Sequence, residues 1–300
     1  MGAYDVRGRI ALITGGARGI GLGIAQALVA RGAVVALVDL DGGAVAEAAG
    51  RLGRDHAIGL IADVTDAAAV ARAVAATVDR FGGIDLVVAN AGIAPAPASI
   101  RVMPAAEWER VIEVNLLGVY RTVNAGLEQV IARRGQVVVV SSAYAFVNGV
   151  MLSPYAVAKA GVEQLGRALR LELAPHGASA TVAYFGFVDT EMVRQGFERE
   201  QQMTEQGDGL VPAFMRRMIT PEQAGEAVAT AIEQRRGRVI APRWWTVPAV
   251  LRGLLNPILD YAAVRSRRVR KALRDAEGTV KKPSGETEPE DTARYYQPLG

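Results

Sequence analysis

The sequence of 300 residues is 50% hydrophobic and 22% charged, with a formal net charge of +3, which excludes a disordered or fibrous chain and gives no general reason to expect nucleic-acid binding. It contains no cysteine, so disulfides and thiolate metal sites are excluded. The charged N-terminus lacks a signal-peptide core and no apolar run reaches the roughly 18 residues of a membrane span, so we expect a cytoplasmic location.

Apolar runs bounded by turn residues are typical of buried strands, and stretches with helical spacing separate them. The runs are Arg9 to Thr14, Ala33 to Asp39, Ala57 to Ala62, Ile84 to Asn90, Gln136 to Ser141, Ser179 to Phe185, and Arg238 to Ala241. Such alternation requires parallel pairing through right-handed crossovers. The prediction is a doubly wound α/β fold, with a parallel seven-stranded sheet, helices on both faces and ligands at the carboxyl ends of the strands.

The first predicted strand leads into the glycine-rich turn Thr14-Gly15-Gly16-Ala17-Arg18-Gly19-Ile20-Gly21, and a helical pattern follows it. Gly15 permits the tight turn, Gly19 lets the backbone approach a pyrophosphate, and Gly21 allows close packing. An ordinary glycine-rich turn is the alternative for such a motif alone. Asp39, about 20 residues after the loop, favours dinucleotide binding because it can accept hydrogen bonds from the adenine ribose.

Asp39 also bears on the choice between the two nicotinamide dinucleotides. Its carboxylate would repel a 2′-phosphate at roughly 4 Å by about 1 to 4 kcal/mol, depending on the effective dielectric. Arg18 would attract the same phosphate, but we expect it to be exposed and screened. The sequence therefore predicts NAD rather than NADP.

The loop spacing Thr-Gly-x-x-x-Gly-x-Gly resembles that of the short-chain dehydrogenase/reductase family. Further motifs of this family are Asn90-Ala91-Gly92 after strand four, Asn115 in a long helix, Ser142 thirteen positions before Tyr155, and Lys159 four positions after it. The resemblance covers about Arg9 to Ala241. It implies a Rossmann fold with strand order 3-2-1-4-5-6-7, assembly as a homodimer or homotetramer, and an enzyme that moves a hydride between a nicotinamide cofactor and an alcohol or ketone carbon.

The resemblance also implies a set of cofactor-binding positions. They are Gly15, Arg18, Gly19, Ile20, Gly21, Asp39, Asp63, Val64, Asn90, Ala91, Gly92, Tyr155, Lys159, Val188 and Thr190. Asp63 and Val64 match the adenine position, Asn90 a residue that steadies the sheet, and the last two the nicotinamide carboxamide. One departure is Phe185, which stands before Gly186 where the family usually has proline.

Tyr155 and Lys159 are one helical turn apart, so both side chains project from one face. A positive charge about 5 Å from a phenol contributes roughly 3 kcal/mol at an effective dielectric near 20, which would lower the phenol pKa by about two units. The resemblance implies that Tyr155 is the general acid and base, that Lys159 holds the ribose, that Ser142 polarises the substrate oxygen, and that Asn115 holds a water near Lys159.

A long connection at about 190–219 predicts a lid over the substrate. Its apolar side chains are Met192, Val193, Phe197, Met203, Leu210, Val211, Phe214, Met215 and Met218. A second apolar group is Ala145, Phe146, Val147, Val150, Met151 and Phe187. One interpretation is that these side chains contact a hydrophobic substrate, namely a steroid-, terpenoid- or lipid-like alcohol or ketone. The alternative is that they only pack the lid against the body.

We expect one catalytic domain at 1–242, an apolar and then basic helical extension at 243–275, and a disordered tail at 276–300. The extension combines Trp244 to Val264 with the basic stretch Arg265 to Arg274. It either lies on an anionic membrane or packs on this domain or on a sister subunit, and we prefer the packing alternative.

Other interpretations are an NADPH-dependent ketoreductase with the same residues, a catalytically silent nucleotide-binding scaffold, and a nucleic-acid binder acting through the basic tail, which lacks interleaved aromatic residues. Neither His56 nor His176 has metal-ligand neighbours, so no metal is expected. Ser153 is interpreted as the N-cap of the helix that bears Tyr155, with Pro154 at its first position.

Overall fold

The fold is taken from a computed structural model that describes residues 3–196 and 217–278. Its strands are β1 (Ile10–Thr14), β2 (Val34–Asp39), β3 (Ala57–Ile61), β4 (Leu86–Ala89), β5 (Gln136–Ser142), β6 (Ser179–Phe185) and β7 (Arg238–Ala241). They form one parallel sheet in the order β3-β2-β1-β4-β5-β6-β7, which confirms the predicted fold and strand order. The order reverses between β1 and β4, and this switch point places a ligand crevice at their carboxyl ends.

The helices cross over between successive strands and then continue past the sheet. They are α1 (Gly19–Val29), α2 (Gly42–Leu52), α3 (Ala67–Phe81), α4 (Ala105–Ile112), α5 (Gly118–Ala132), α6 (Ser153–Leu173), α7 (Pro221–Glu233), α8 (Thr246–Arg265) and α9 (Arg267–Gly278). None of the helices in the described parts of the chain has the length and hydropathy needed to cross a membrane.

The central strands of the sheet are buried on both faces, so most of their residues are apolar. On β1, Ala11 and Ile13 pack with α1, α2 and α7, whereas Leu12 packs with α3, α5 and α6 on the other face. This alternation follows from the two-residue period of a strand. Because helices cover both faces, the strands are continuous apolar runs rather than alternating patterns.

Two elements differ from the predictions. Strand β4 is shorter than expected because the buried Asp85 before it accepts hydrogen bonds from Arg9 Nη1 at 2.8 Å and from the Ile10 backbone N–H at 3.1 Å. The long helix predicted around Asn115 is interrupted by a π-helical turn over Glu113–Leu117, which joins α4 to α5. π-Helical turns of this kind are frequent at functional sites.

The start of the extension packs closely on the domain. Trp245 is buried, its ring stacks on Trp244 with centroids 4.2 Å apart, and it meets the ring of Phe146 at 6.1 Å. A Cβ at Gly186 would collide with the indole nitrogen of Trp245, so only glycine permits this approach. The extension thus reaches the segment that follows β6.

Helices α8 and α9 also bind this domain, through polar side chains. Arg252 donates two hydrogen bonds of 2.8 Å to the carboxylate of Glu163 on α6. Asn256 donates to the carbonyl of Phe146, Asp260 accepts from Asn148, and Glu277 accepts from Ser99 and Arg101. Most of the large apolar side chains of α8 are exposed, so they do not pack on this domain, and packing on a sister subunit stays a prediction. The first three residues of the predicted tail, 276–278, complete α9, and the rest of that tail lies outside the described residues.

Candidate active site

A cavity of about 1160 Å³ opens at the carboxyl ends of the central strands. Its lining includes every residue predicted for the site except Gly21 and Asn115. Gly21 lies behind the loop, where a Cβ would collide with the carbonyl oxygen of Gly15. The fold therefore brings together residues spread from position 15 to position 190 of the chain.

The glycine loop connects β1 to the N-terminus of α1 and is fixed by Asn90. The Asn90 amide donates to the carbonyls of Thr14 at 3.0 Å and Gly15 at 3.1 Å, and Thr14 Oγ1 accepts from the Asn90 backbone N–H at 3.1 Å. Gly15 and Gly19 have φ values of +64° and +54°, in the left-handed region that favours glycine.

The N-terminus of α1 differs from those of α2 and α3. Asp41 and Asp66 cap those two helices by accepting hydrogen bonds from first-turn N–H groups, whereas no side chain in the described parts of the chain caps α1 and its first turn has no acidic residue. Free N–H groups and the positive end of the helix dipole suit a pyrophosphate. The loop therefore fits a dinucleotide.

The end of β2 provides the position expected for the adenine ribose. Asp39 is half-buried and its Oδ2 accepts a hydrogen bond from the Ala17 backbone N–H at 3.1 Å. Arg18 is 59% exposed and pairs with Glu191 at 3.1 Å and with Asp41 at 3.7 Å. The arginine that would attract a 2′-phosphate is thus shared between two carboxylates.

The predicted adenine and nicotinamide positions both line the cavity. Asp63 Oδ1 accepts hydrogen bonds from both the backbone N–H and the hydroxyl of Thr65, each at 2.8 Å, which fixes the turn after β3. Val188 pairs with Ile219 in a short parallel bridge. Replacement of the family's usual proline by Phe185 leaves that segment in the cavity wall.

Tyr155 and Ser142 meet at the wall of the cavity. Tyr155 projects from the first turn of α6 and is hydrogen-bonded to Ser142, the last residue of β5. The Ser142 hydroxyl also accepts from the Tyr144 backbone N–H at 3.3 Å and donates to the Phe185 carbonyl at 3.4 Å. The two hydroxyl groups predicted from spacing are therefore adjacent in space.

Lys159 lies one turn further along α6 and is buried, with 3% of its surface exposed. Its Nζ donates a hydrogen bond of 2.9 Å to the Val140 carbonyl and lies 5.6 Å from the centroid of the Tyr155 ring. Burial lowers the pKa of Lys159 to about 8, because the low-dielectric interior disfavours the ammonium.

The expected net fall in the Tyr155 pKa is wrong for this structure. Burial raises the pKa of Tyr155, and the hydrogen bond with Ser142 opposes that rise. The interior also lowers the pKa of Lys159, and the net shift at Tyr155 remains upward with this lysine one turn away. A lower pKa therefore requires positive charge beyond that of the chain itself.

Asn115 is buried in the π-helical turn and binds the chain that follows β4. Its Oδ1 accepts from the Ile93 backbone N–H at 2.7 Å and its Nδ2 donates to the Ile93 carbonyl at 2.8 Å. A methyl group at Gly92 would lie 3.1 Å from Asn115 Oδ1 and 3.6 Å from Lys159 Nζ. Asn115 and Lys159 thus approach the same glycine.

Sequence reasoning missed the role of Ser141 and misassigned Ser153. The Ser141 hydroxyl donates to the Lys159 carbonyl at 2.8 Å and so fixes α6 against β5. The N-cap of α6 is Leu152, whose carbonyl accepts from the Ala156 N–H, while the buried Ser153 hydroxyl has no hydrogen-bond partner among the described residues. Pro154 is therefore the second residue of the helix rather than the predicted first.

The apolar wall predicted for the substrate is realised in part. Met192 and Val193 line the cavity. Phe146 and Met151 are buried, and Phe146 packs against Tyr184 and Trp245 rather than against the predicted lid. The predicted lid side chains from Phe197 to Met215 lie outside the described residues.

Known proteins share this fold and these motifs. A cis-4-hydroxycyclohexanecarboxylate dehydrogenase from Sinomonas cyclohexanicum is 35% identical over 224 residues, which cover 74% of this chain and 88% of that protein. A (-)-trans-carveol dehydrogenase from Rhodococcus erythropolis is 36% identical, over 63% of this chain and 74% of that protein.

Solved structures with a similar fold include proteins of the same kind. A 3-ketoacyl-(acyl-carrier-protein) reductase from Brucella melitensis, complexed with NADH, superposes with a TM-score of 0.70 at 26% identity, over 79% of this chain and 97% of that one. The family model for short chain dehydrogenases matches residues 9–201. The chain belongs to the short-chain dehydrogenase/reductase family, whose members are oxidoreductases of CH–OH groups.

Proposed function

We propose that this enzyme transfers a hydride between NAD(H) and a hydrophobic secondary alcohol or ketone, with Tyr155 as its general acid and base. The observation that carries the proposal is the buried Tyr155 hydroxyl, hydrogen-bonded to Ser142 at the cavity wall and one helical turn from Lys159. Tyrosine, serine and lysine in this arrangement supply a proton carrier, a donor to the substrate oxygen and a cation.

During alcohol oxidation, the Tyr155 oxygen accepts the hydroxyl proton of the substrate, and during ketone reduction the same oxygen returns it. Ser142 donates a hydrogen bond to the reacting oxygen, whose negative charge is larger in the transition state than in the ketone. When bound, the nicotinamide exchanges the hydride, and its oxidised form adds the positive charge that the Tyr155 phenolate needs.

Lys159 and Asn115 are proposed to connect Tyr155 to solvent. Because the Lys159 pKa is about 8, its ammonium can release and regain a proton near neutral pH. Asn115 approaches Gly92 from the same side as Lys159, where it would hold a water near the ammonium. Lys159 also provides a cation for the hydroxyls of the nicotinamide ribose.

The preference for NAD follows from Asp39 and from the pairing of Arg18. Asp39 stands where a 2′-phosphate would be repelled, and the charge of Arg18 is divided between Glu191 and Asp41. Asp39→Asn should lower the ratio of kcat/KM for NAD to kcat/KM for NADP by about tenfold, a difference of about 1.4 kcal/mol. Arg51→Gln, which removes an exposed charge from α2, should leave the ratio unchanged.

Met192 and Val193 support a hydrophobic substrate, since they line the same cavity as Tyr155 and Ser142, together with Phe185. Steroid-, terpenoid- or lipid-like alcohols and ketones should bind next to these apolar side chains more favourably than polyols, because the hydroxyls of a polyol would lose their hydrogen bonds to water there. Turnover of polyols at equal or higher kcat/KM would contradict this assignment.

We further infer a homo-oligomer in a reducing, cytoplasmic compartment. Tyr120 on α5 and Val157 on α6 expose apolar surface that a sister subunit would cover, and the absence of cysteine fits a reducing environment. Light scattering of the purified chain would give its mass in solution, and a strictly monomeric mass would contradict the assembly.

The deciding experiment is a panel of alcohols and ketones assayed with NAD, NADH, NADP and NADPH. Tyr155→Phe should lower kcat/KM by about 10²- to 10⁴-fold, the typical contribution of a general acid or base, while NAD binding measured by fluorescence persists. Tyr120→Phe, which removes an exposed hydroxyl, is the matched control. Full turnover in Tyr155→Phe, or the absence of dinucleotide binding, would overturn the proposal.

A further inference from the structure

Helix α8 binds the domain through its polar side. Arg252, Asn256 and Asp260 lie four residues apart and therefore on one face, and each is hydrogen-bonded to a partner on α6 or on the loop before α6. None of the residues of α8 is buried. The helix is thus attached by the side that usually faces water.

The opposite side of α8 is apolar and exposed. This outer face of α8 consists of Val247, Val250, Leu251, Leu254, Ile258 and Tyr261, which helical periodicity places on one side of the helix. Leu254 at its centre is 71% exposed. Contiguous apolar surface of this kind marks a site of interaction.

A cluster of positive charge follows directly at the end of the outer face. Residues 265–278 contain six arginine or lysine side chains and two carboxylates. One of these carboxylates, Glu277, is turned inward and binds Ser99 and Arg101. All six cationic residues are exposed. The cluster therefore carries a net positive charge beside an apolar face.

We propose that the outer face of α8 and the cationic cluster of α9 dock this enzyme peripherally on an anionic lipid bilayer. A helix of 20 residues is about 30 Å long, so α8 can lie in the plane of the interface with its apolar side chains among the acyl chains. The arginines then reach the lipid phosphates, which guanidinium groups bind in a bidentate manner.

Charge distinguishes the bilayer from a second copy of the chain. A symmetric contact through the outer face gains nothing from the cationic cluster: with the two helices parallel the clusters repel each other, and with the helices antiparallel they lie about 30 Å apart. Anionic lipids, in contrast, neutralise the cluster. The observed charge therefore favours the bilayer.

The test is flotation of the full chain with vesicles of phosphatidylcholine alone and of phosphatidylcholine mixed with phosphatidylserine. We expect binding to the mixed vesicles to exceed binding to neutral vesicles by at least about tenfold and to weaken as salt is raised. Leu254→Glu should lower binding by about tenfold or more, because it places a charge in the apolar face. Leu171→Glu is the matched control, since Leu171 on α6 is 77% exposed and lies outside the outer face.

A second pair of variants tests the cationic cluster. Arg267→Gln with Arg270→Gln should lower binding several-fold, roughly the effect of two charges near an anionic surface, whereas Arg54→Gln with Arg72→Gln should not. Equal binding to both kinds of vesicle, or none, would overturn the proposal. The proposal would also be overturned if the wild type did not bind vesicles but formed a dimer that Leu254→Glu dissociates. Turnover of these variants in solution is measured separately, so a failure here leaves the proposed chemistry untouched.

Discussion

The sheet and helix α8 bury opposite kinds of side chain. In the sheet, Leu12 and its neighbours are fully buried, and the polar exceptions such as Asp85 are hydrogen-bonded. In α8, the hydrogen-bonded contacts with the body are polar and most of the large apolar side chains face outward. The body is therefore stabilised mainly by apolar burial, whereas the extension is held mainly by hydrogen bonds and ion pairs.

This difference predicts separate stabilities for the two regions. A fully buried leucine contributes about 1.5 to 3 kcal/mol through apolar burial, while a hydrogen bond contributes about 0.5 to 1.5 kcal/mol net, or up to about 3 kcal/mol to a charged group. Helix α8 can consequently detach from the body without unfolding it. Three experiments test this difference in stabilisation, in order of decreasing expected effect.

Leu12→Ala should lower the free energy of unfolding by about 2 to 5 kcal/mol, because it leaves a cavity in the sheet between packed helices. Urea titration followed by circular dichroism measures the change. Leu254→Ala on the outer face of α8 is the matched control and should shift stability by less than about 0.5 kcal/mol. Similar losses in the two variants would show that α8 is part of the body's core.

Burial of the Lys159 ammonium lowers the free energy of unfolding, and the size of this effect depends on pH. Between its folded pKa of about 8 and the ordinary value of 10.5, the unfolded chain binds a proton that the folded chain does not, so stability rises with pH. From about pH 7.5 to 9.5, the wild type should gain about 2 kcal/mol relative to Lys159→Met. Chemical denaturation of both proteins at the two pH values measures this difference. Parallel pH profiles would contradict the lowered pKa.

Arg252→Ala should lower the free energy of unfolding, or of local detachment of α8, by about 1 to 3 kcal/mol, because the carboxylate of Glu163 stays buried without its bidentate partner. Hydrogen exchange should show faster opening of α8 with little change in the sheet. Arg72→Ala, which removes an exposed pair with Asp66, should change stability by less than about 0.5 kcal/mol. Unchanged exchange in α8 would mean that other contacts hold it.

Local patterns allowed the fold and the placement of the main site residues to be predicted. The alternation of apolar runs with helical stretches defines the sheet, the glycines define the loop, and the spacing of Tyr155 and Lys159 places both on one helical face. Each of these signals depends on a few neighbouring residues. For that reason they need no knowledge of the rest of the chain.

Properties that depend on distant packing could not be predicted in this way. The raised pKa of Tyr155 results from burial by elements far away in sequence. Ser153 is not the N-cap of α6 because the helix begins one residue earlier than predicted. Helix α8 gives the clearest case, since periodicity identifies an apolar side but not the direction in which it points. Hydrogen bonds from Arg252 and Asn256 decide that direction.

Helix α6 carries Tyr155, Lys159 and Glu163 at successive turns, and the last of these holds Arg252 of α8. One turn of an α-helix spans about 5.4 Å, so the residue that anchors α8 lies one turn from Lys159 and two turns from Tyr155. Because α6 carries both the anchor and the proton-transfer residues, we expect a displacement of the attached α8 to change the alignment of the reacting groups.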